Sequence, residues 1–191
     1  MKLSKEDDIV YLFFNHPSKH WRFSEIRNEV KIADNKVSRW LKGLEKGKVI
    51  LKVKASHKMP YYIANYASPE YQNRKRLFAY RMLYDSGLLN YLSSLEKADA
   101  VIIFGSFTRW DWFSESDLDI FIYGDMERPD MSQYSRKLKR EIQLFFYKGR
   151  NELMKLGEAL IKNIVLGYVI KGKMGFLEVR VDDRRKIGKG L

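Results

Sequence analysis

The chain of 191 residues is 45 % hydrophobic and 31 % charged, with a formal net charge of +12. That composition suits a folded chain of one ordinary domain or two small ones and excludes an intrinsically disordered polymer. The absence of cysteine excludes disulfides, thiolate metal sites and cysteine nucleophiles. No segment reaches the apolar length of a membrane span, and MKLSKEDDIV is too polar and acidic for a secretion signal, so a cytoplasmic location without a membrane partner is expected.

The positive charge is unevenly placed. Residues 1–66 hold 14 Lys/Arg against 7 Asp/Glu. No acid lies between Glu45 and Glu70, whereas Lys46, Lys48, Lys52, Lys54 and Lys58 do. Such a stripe favours a polyanionic partner, most simply nucleic acid, although a solvated lysine-rich surface has the same composition.

Residues 5–15 read as a helix, with Ile9, Leu12 and Phe13 at helical spacing and Pro17 beyond its end. Ser24 is read as the cap of a second helix over 24–30 that buries Ile26 and Val30. A turn at Ala33-Asp34 leads to a third helix, 34–46, capped by Asp34 or Asn35. Val37, Leu41 and Leu44 form its apolar face, and Gly47 closes it. Residues 49–53 and 61–63 read as two strands joined by a turn over 57–60.

Three short helices and a basic hairpin describe a winged helix-turn-helix. The stretch RFSEIRNEVKIADNKVSRWLKGLEKGKVI, with YYIAN after the hairpin, resembles winged-helix domains of archaeal and bacterial transcription regulators. The resemblance implies double-stranded DNA as a partner, with helix 34–46 in the major groove and Asn35, Lys36, Ser38, Arg39 and Lys42 facing it. Lys52, Lys54 and Lys58 on the hairpin would meet phosphates, which fix position without reading sequence. A winged helix used for protein contact or dimerisation is the alternative. Residues 69–96 then read as a long helical stretch with a break at Ser86-Gly87, a connecting segment that packs between the two domains or serves as a homodimer contact.

From Ala100 the pattern changes. Residues 101–104 form a continuous apolar strand ended by Gly105-Ser106, and ten residues separate Ser106 from Asp117. Residues 117–123 read as a second strand, on which Asp117 and Asp119 project from one face because side chains alternate. Two neighbouring carboxylates repel each other unless a cation sits between them, and magnesium is suited to that role and to bridging phosphates. A Gly-Ser turn beside them lets backbone amides and the Ser106 hydroxyl approach a triphosphate.

The segment FGSFTRWDWFSESDLDIFIYG resembles the Gly-Ser…Asp-x-Asp signature of the DNA polymerase β nucleotidyltransferase superfamily, in particular its minimal branch. The resemblance implies a mixed sheet flanked by helices, bound Mg2+ or Mn2+, and transfer of a nucleotidyl group from a nucleoside triphosphate such as ATP. By position, Gly105, Ser106, Arg109 and Ser116 would hold the nucleotide, and Asp117 and Asp119 the metal. The glycine that commonly follows the arginine is Trp110 here, which adds bulk at the mouth of the site. Some members of the minimal branch act as antitoxins beside a helical toxin, so a toxin-like protein is a conceivable partner.

The superfamily's third carboxylate is missing. Residues 129–140 read as a helix and 141–146 as a strand, followed by a helix over 151–162 and a strand over 167–170. That register puts Gln143 at the expected acid position, with Glu141 two residues earlier as its substitute and a catalytic candidate. Three readings stay open: an enzyme completed by Glu141, a nucleotide sensor that alters DNA affinity, or a domain kept for dimerisation. Residues 175–181 read as a last strand, the basic tail from Arg184 as a solvated end, and His16, His20 and His57 as loop residues without ligand spacing. The expected architecture is α/β of mixed α+β type. A winged helix (1–66), a connecting helical segment (67–97) and a nucleotidyltransferase-like domain (98–191) make it up.

Overall fold

In the computed structural model, which describes residues 4–54 and 59–175, a capping box opens the first helix, α1 (Lys5–Asn15). Ser4 Oγ accepts from the Asp7 amide at 3.1 Å, and the Asp7 carboxylate accepts from the Ser4 amide at 3.3 Å. Ile9, Val10, Phe13 and Phe14 form the buried face of α1. Next come a two-residue strand β1 (Trp21–Arg22), then α2 (Phe23–Val30) and α3 (Asp34–Lys46). The strands β2 (Ile50–Val53) and β3 (Tyr61–Ala64) complete an antiparallel sheet in the order β1-β3-β2.

Several local expectations are corrected. Ser24 does not cap α2: the helix begins at Phe23, and Glu25 accepts from the Arg22 amide at 2.6 Å instead. The N-cap of α3 is Ala33 rather than Asp34 or Asn35, and it makes no side-chain capping bond. β1 has too few residues to produce an alternating pattern, yet it places Trp21 in the core. Lys58, the strand read over 175–181 beyond Gly175, and the basic tail lie outside the described residues.

α4 (Pro69–Asp85) starts with proline at its first turn, and the chain breaks at Ser86-Gly87 before α5 (Leu88–Ser93). Gly87 adopts φ +81, a left-handed conformation that suits glycine. A mixed sheet follows in the order β6-β5-β4-β7. Its strands are β4 (Ala100–Phe104), β5 (Leu118–Tyr123), β6 (Ile142–Tyr147) and β7 (Tyr168–Gly172). β4 is antiparallel to both β5 and β7, and β5 runs parallel to β6. The helix expected over 129–140 is the shorter α6 (Ser132–Leu138), and the one expected over 151–162 is two pieces, α7 (Arg150–Leu153) and α8 (Glu158–Val165). Helices and a mixed sheet together make a mixed α+β architecture.

Alternation on β4 divides the core. Val101 and Ile103 join a cluster that reaches back to Ile9 and Trp21, while Ile102 and Phe104 pack with Phe121, Leu153 and Ile164. The first cluster does not stop between the N-terminal helices and the mixed sheet. Phe14 of α1 meets Tyr71, Phe78 and Trp112 edge-on, with centroids 5.3, 5.4 and 6.0 Å apart.

Candidate active site

The site forms where β4 ends beside the start of β5. Phe104 and Asp119 are partners in the β4–β5 ladder, and Asp119 faces Gln143 across the parallel β5–β6 pair. Gly105 follows at φ +77, where a Cβ would lie 2.1 Å from Asp119 Oδ2. Only glycine lets the backbone pass the carboxylate this closely. The turn then tightens into a single 3-10 segment, Gly105–Thr108, in which Thr108 Oγ1 donates to the Gly105 carbonyl at 2.9 Å. Tyr168 of β7 fastens the far end of that turn by donating to the Thr108 carbonyl at 2.9 Å.

These elements enclose a depression of about 320 Å³. Gly105, Ser106, Arg109, Ser116, Asp117 and Asp119 all line it, joined by Phe104, Gln143 and Asn163. Asp117 is exposed just ahead of β5, and Asp119 is half-buried within it. Burial, and then the negative charge of Asp117, hold the Asp119 carboxyl above the ordinary carboxylate value, with Arg109 opposing. Arg109 itself is half-exposed and pairs with Asp111 at 3.2 Å. Ser116 Oγ accepts from the Phe113 amide at 2.9 Å, which tightens the turn leading into Asp117.

Two residues expected at the site are elsewhere. Glu141 precedes β6, whose alternation starts only at Ile142, and it lines a separate depression with Arg128, Asp130 and Ser135. Trp110 does not border the carboxylate pocket; its ring packs edge-on against Tyr66 with centroids 4.8 Å apart. Asn163 was missed. It sits on α8, a helix whose position over the sheet no local motif announces, and its amide donates to the Ala159 carbonyl at 3.1 Å. Arg140 was missed as well. It is buried and donates to the carbonyls of Phe113, Ser114 and Ser116 at 2.5, 3.1 and 3.0 Å, and to Asn15 Oδ1 at 2.6 Å. The loop that delivers Asp117 is thereby fixed to the end of α1.

Among the described residues, no group of three or more His, Cys, Asp or Glu side chains could hold a metal ion. The donor set is two carboxylates with the neutral amide of Gln143 beside them. That set fits one divalent cation completed by oxygens from a phosphate ligand, since hard cations take carboxylate, amide-carbonyl and phosphate oxygens together.

Residues 87–171 match the family model Polymerase beta, Nucleotidyltransferase. No curated protein and no solved structure matches the chain. The matched stretch runs from Gly87 through α5 and almost to the end of β7, so it contains the mixed sheet except Gly172, and every residue lining the carboxylate pocket. It supports a nucleotidyltransferase domain in this part of the chain. Residues 1–86 lie outside it.

On the N-terminal unit, Asn35, Lys36, Arg39 and Lys42 are exposed along α3 and Ser38 is half-exposed. Lys52 and Lys54 are exposed on and just after β2. None of them borders the carboxylate pocket.

Proposed function

We propose that the protein is a nucleotidyltransferase whose N-terminal unit, residues 1–66, is a winged helix that binds double-stranded DNA. The pairing of Asp117 with a half-buried Asp119 against the bare backbone of Gly105 carries this reading. A carboxyl held above its ordinary value by burial and then by its neighbour's charge gains most from a cation, and a phosphate can approach glycine closely. Asp117, Asp119 and the Gln143 carbonyl would hold Mg2+ or Mn2+, and the ion would supply charge neutralisation for a nucleoside triphosphate such as ATP. Ser106, the amides of its turn and Arg109 would bind and orient the phosphates, and Asn163 would close the opposite wall.

The support for DNA binding is the combination of three helices with a β1-β3-β2 sheet, and exposed polar and basic side chains on α3 and on β2. The connecting segment, 67–97, then carries the basic unit to the nucleotide site. Gln143 favours a second reading. A neutral amide at that position can bind but cannot accept a proton, as expected of a regulator that senses a nucleotide or holds a dimer without turnover.

Pyrophosphate release from ATP, measured with and without Mg2+, separates the two. Transfer predicts cation-dependent release that Asp117→Ala combined with Asp119→Ala abolishes, and release surviving the double change sinks the assignment. Binding of ATP with Mg2+ but without release selects the regulator.

A further inference from the structure

A second cleft, of about 550 Å³, lies between the end of α1 and the loop that leads to Asp117. Asn15, His16 and Lys19 line one side, and Tyr66, Phe113 and Ser114 the other. Tyr66 and Phe113 are 41 % and 45 % exposed, which leaves parts of two aromatic rings open to solvent. Lys19 Nζ sits 3.6 Å over the ring of Trp21, which fixes its charge at the rim. Among the described residues, no Asp or Glu lines the cleft.

A buried guanidinium, with the amine of Lys75 near it, lies behind the cleft. Arg140 is 7 % exposed, and three of the acceptors to which it donates, in Asn15, Phe113 and Ser114, belong to residues lining the cleft. Its Nε has no hydrogen-bond partner. Lys75 is fully buried; its Nζ donates to Tyr71 Oη at 3.3 Å, and Tyr71 stacks on Tyr66 with centroids 5.6 Å apart. Neither side chain forms an ion pair with a carboxylate among the described residues; the half-buried Tyr11 and the exposed Glu115 favour the charge of Arg140, and the exposed Asp111 that of Lys75. Buried charge without a buried counter-charge gives the overlying surface a positive potential.

Partly exposed aromatic rings under a positive potential select a ligand that offers both a flat π system and an anion. We propose that this cleft binds a nucleoside phosphate, with its base against Phe113 and Tyr66 and its phosphate toward Lys19 and His16. The site does not depend on chemistry at Asp117, yet it adjoins it: Arg140 also donates to the carbonyl of Ser116, which lines the carboxylate pocket.

The test is calorimetric titration of the full chain carrying Asp117→Ala, in EDTA so that the carboxylate pocket is silent. The probes are AMP, adenosine, inorganic phosphate and a short 5′-phosphorylated single strand. Saturable binding of AMP or the strand is expected, weakened about tenfold or more by Phe113→Ala and by Lys19→Glu. Adenosine and phosphate alone should bind at least tenfold more weakly than AMP. A strand that binds more tightly than AMP identifies the end of a nucleic acid as the source, and AMP binding as tightly or more so identifies the free nucleotide. If neither AMP nor the strand binds, or if neither variant weakens binding, the proposal is overturned and the reading of Asp117 is untouched. Lys19→Glu alone decides the matter if Phe113→Ala does not fold.

Discussion

The Asp119 carboxylate occupies the space that a side chain on residue 105 would need: a Cβ there would lie 2.1 Å from Oδ2. The left-handed backbone at Gly105 and the position of the acid therefore form one feature. Substitution Gly105→Ala should strain φ by about 1–2 kcal/mol and push Asp119 out of line. We expect Tm to fall by roughly 3–6 °C and Mg2+-dependent ATP affinity to fall more than tenfold. An alanine variant that binds ATP like the parent would show that this contact is not needed.

Asp119 also sets a pH dependence. Its folded-state value is raised, so the folded protein takes up the proton more readily than the unfolded chain does. Its ionisation therefore lowers stability at neutral pH, and the loss is relieved as pH falls through the raised value. Asp119→Asn should raise Tm at pH 7 by roughly 1–3 °C, with the gain vanishing in acid. Cation binding should weaken in the same descent, because only the ionised carboxylate is a ligand. Scanning calorimetry and Mn2+ titration between pH 4 and pH 8 check both signs.

Gln143 faces Asp119 across the β5–β6 pair, so Gln143→Glu puts a third carboxylate at the pocket. We expect Mn2+ affinity to rise several-fold, roughly 1 kcal/mol, and pyrophosphate release to increase if a proton acceptor is what the site lacks. Electron paramagnetic resonance of free Mn2+ measures the first effect. Unchanged affinity would mean that residue 143 does not reach the ion.

Lys75 tests the buried junction. Burial lowers its pKa to about 7, Asp111 partly offsetting and Arg140 adding to the fall. The unfolded chain then binds more protons between about pH 7 and the ordinary lysine value, so stability rises with pH through that window. Lys75→Met should stabilise the protein at and below pH 7 by on the order of 3 kcal/mol, and the benefit should shrink towards pH 10. Urea unfolding at pH 6, 8 and 10 would expose a flat response, which would place the ammonium in water.

If α3 and β2 meet DNA, affinity should fall steeply with salt. Lys52→Ala with Lys54→Ala removes two phosphate contacts and should make the slope of log K against log salt shallower by about 2. Fluorescence anisotropy at several salt concentrations measures it, and an unchanged slope removes β2 from the interface.

Much of this was readable where a local pattern suffices. Helical spacing placed α1 and α3, and the left-handed demand at Gly87 marked the break before α5. The run from Val101 to Asp119 outlined the pocket, because a glycine turn and alternating acids are properties of neighbouring residues. What stayed hidden depends on distant ones. Arg140 gives no sign of holding Ser116 and Asn15, since its partners are backbone carbonyls and an amide that any sequence could supply. Asn163 reaches the pocket only through the packing of α8. Glu141 stands one residue ahead of β6, and the depression it lines is set by Arg128, Asp130 and Ser135 from the loop and helix before it.

The contact of Phe14 with Trp112, and of Asn15 with Arg140, also bears on how the protein can come apart. Cutting the chain after residue 66 would leave Trp112 and a buried guanidinium without their covers, so the amino-terminal third is no portable module. The whole described chain should melt in one transition, and no stable fragment should survive limited proteolysis. Inheritance follows the same logic: a lineage that exchanged the amino-terminal part for another would also have to rebuild the floor beneath the loop of Asp117.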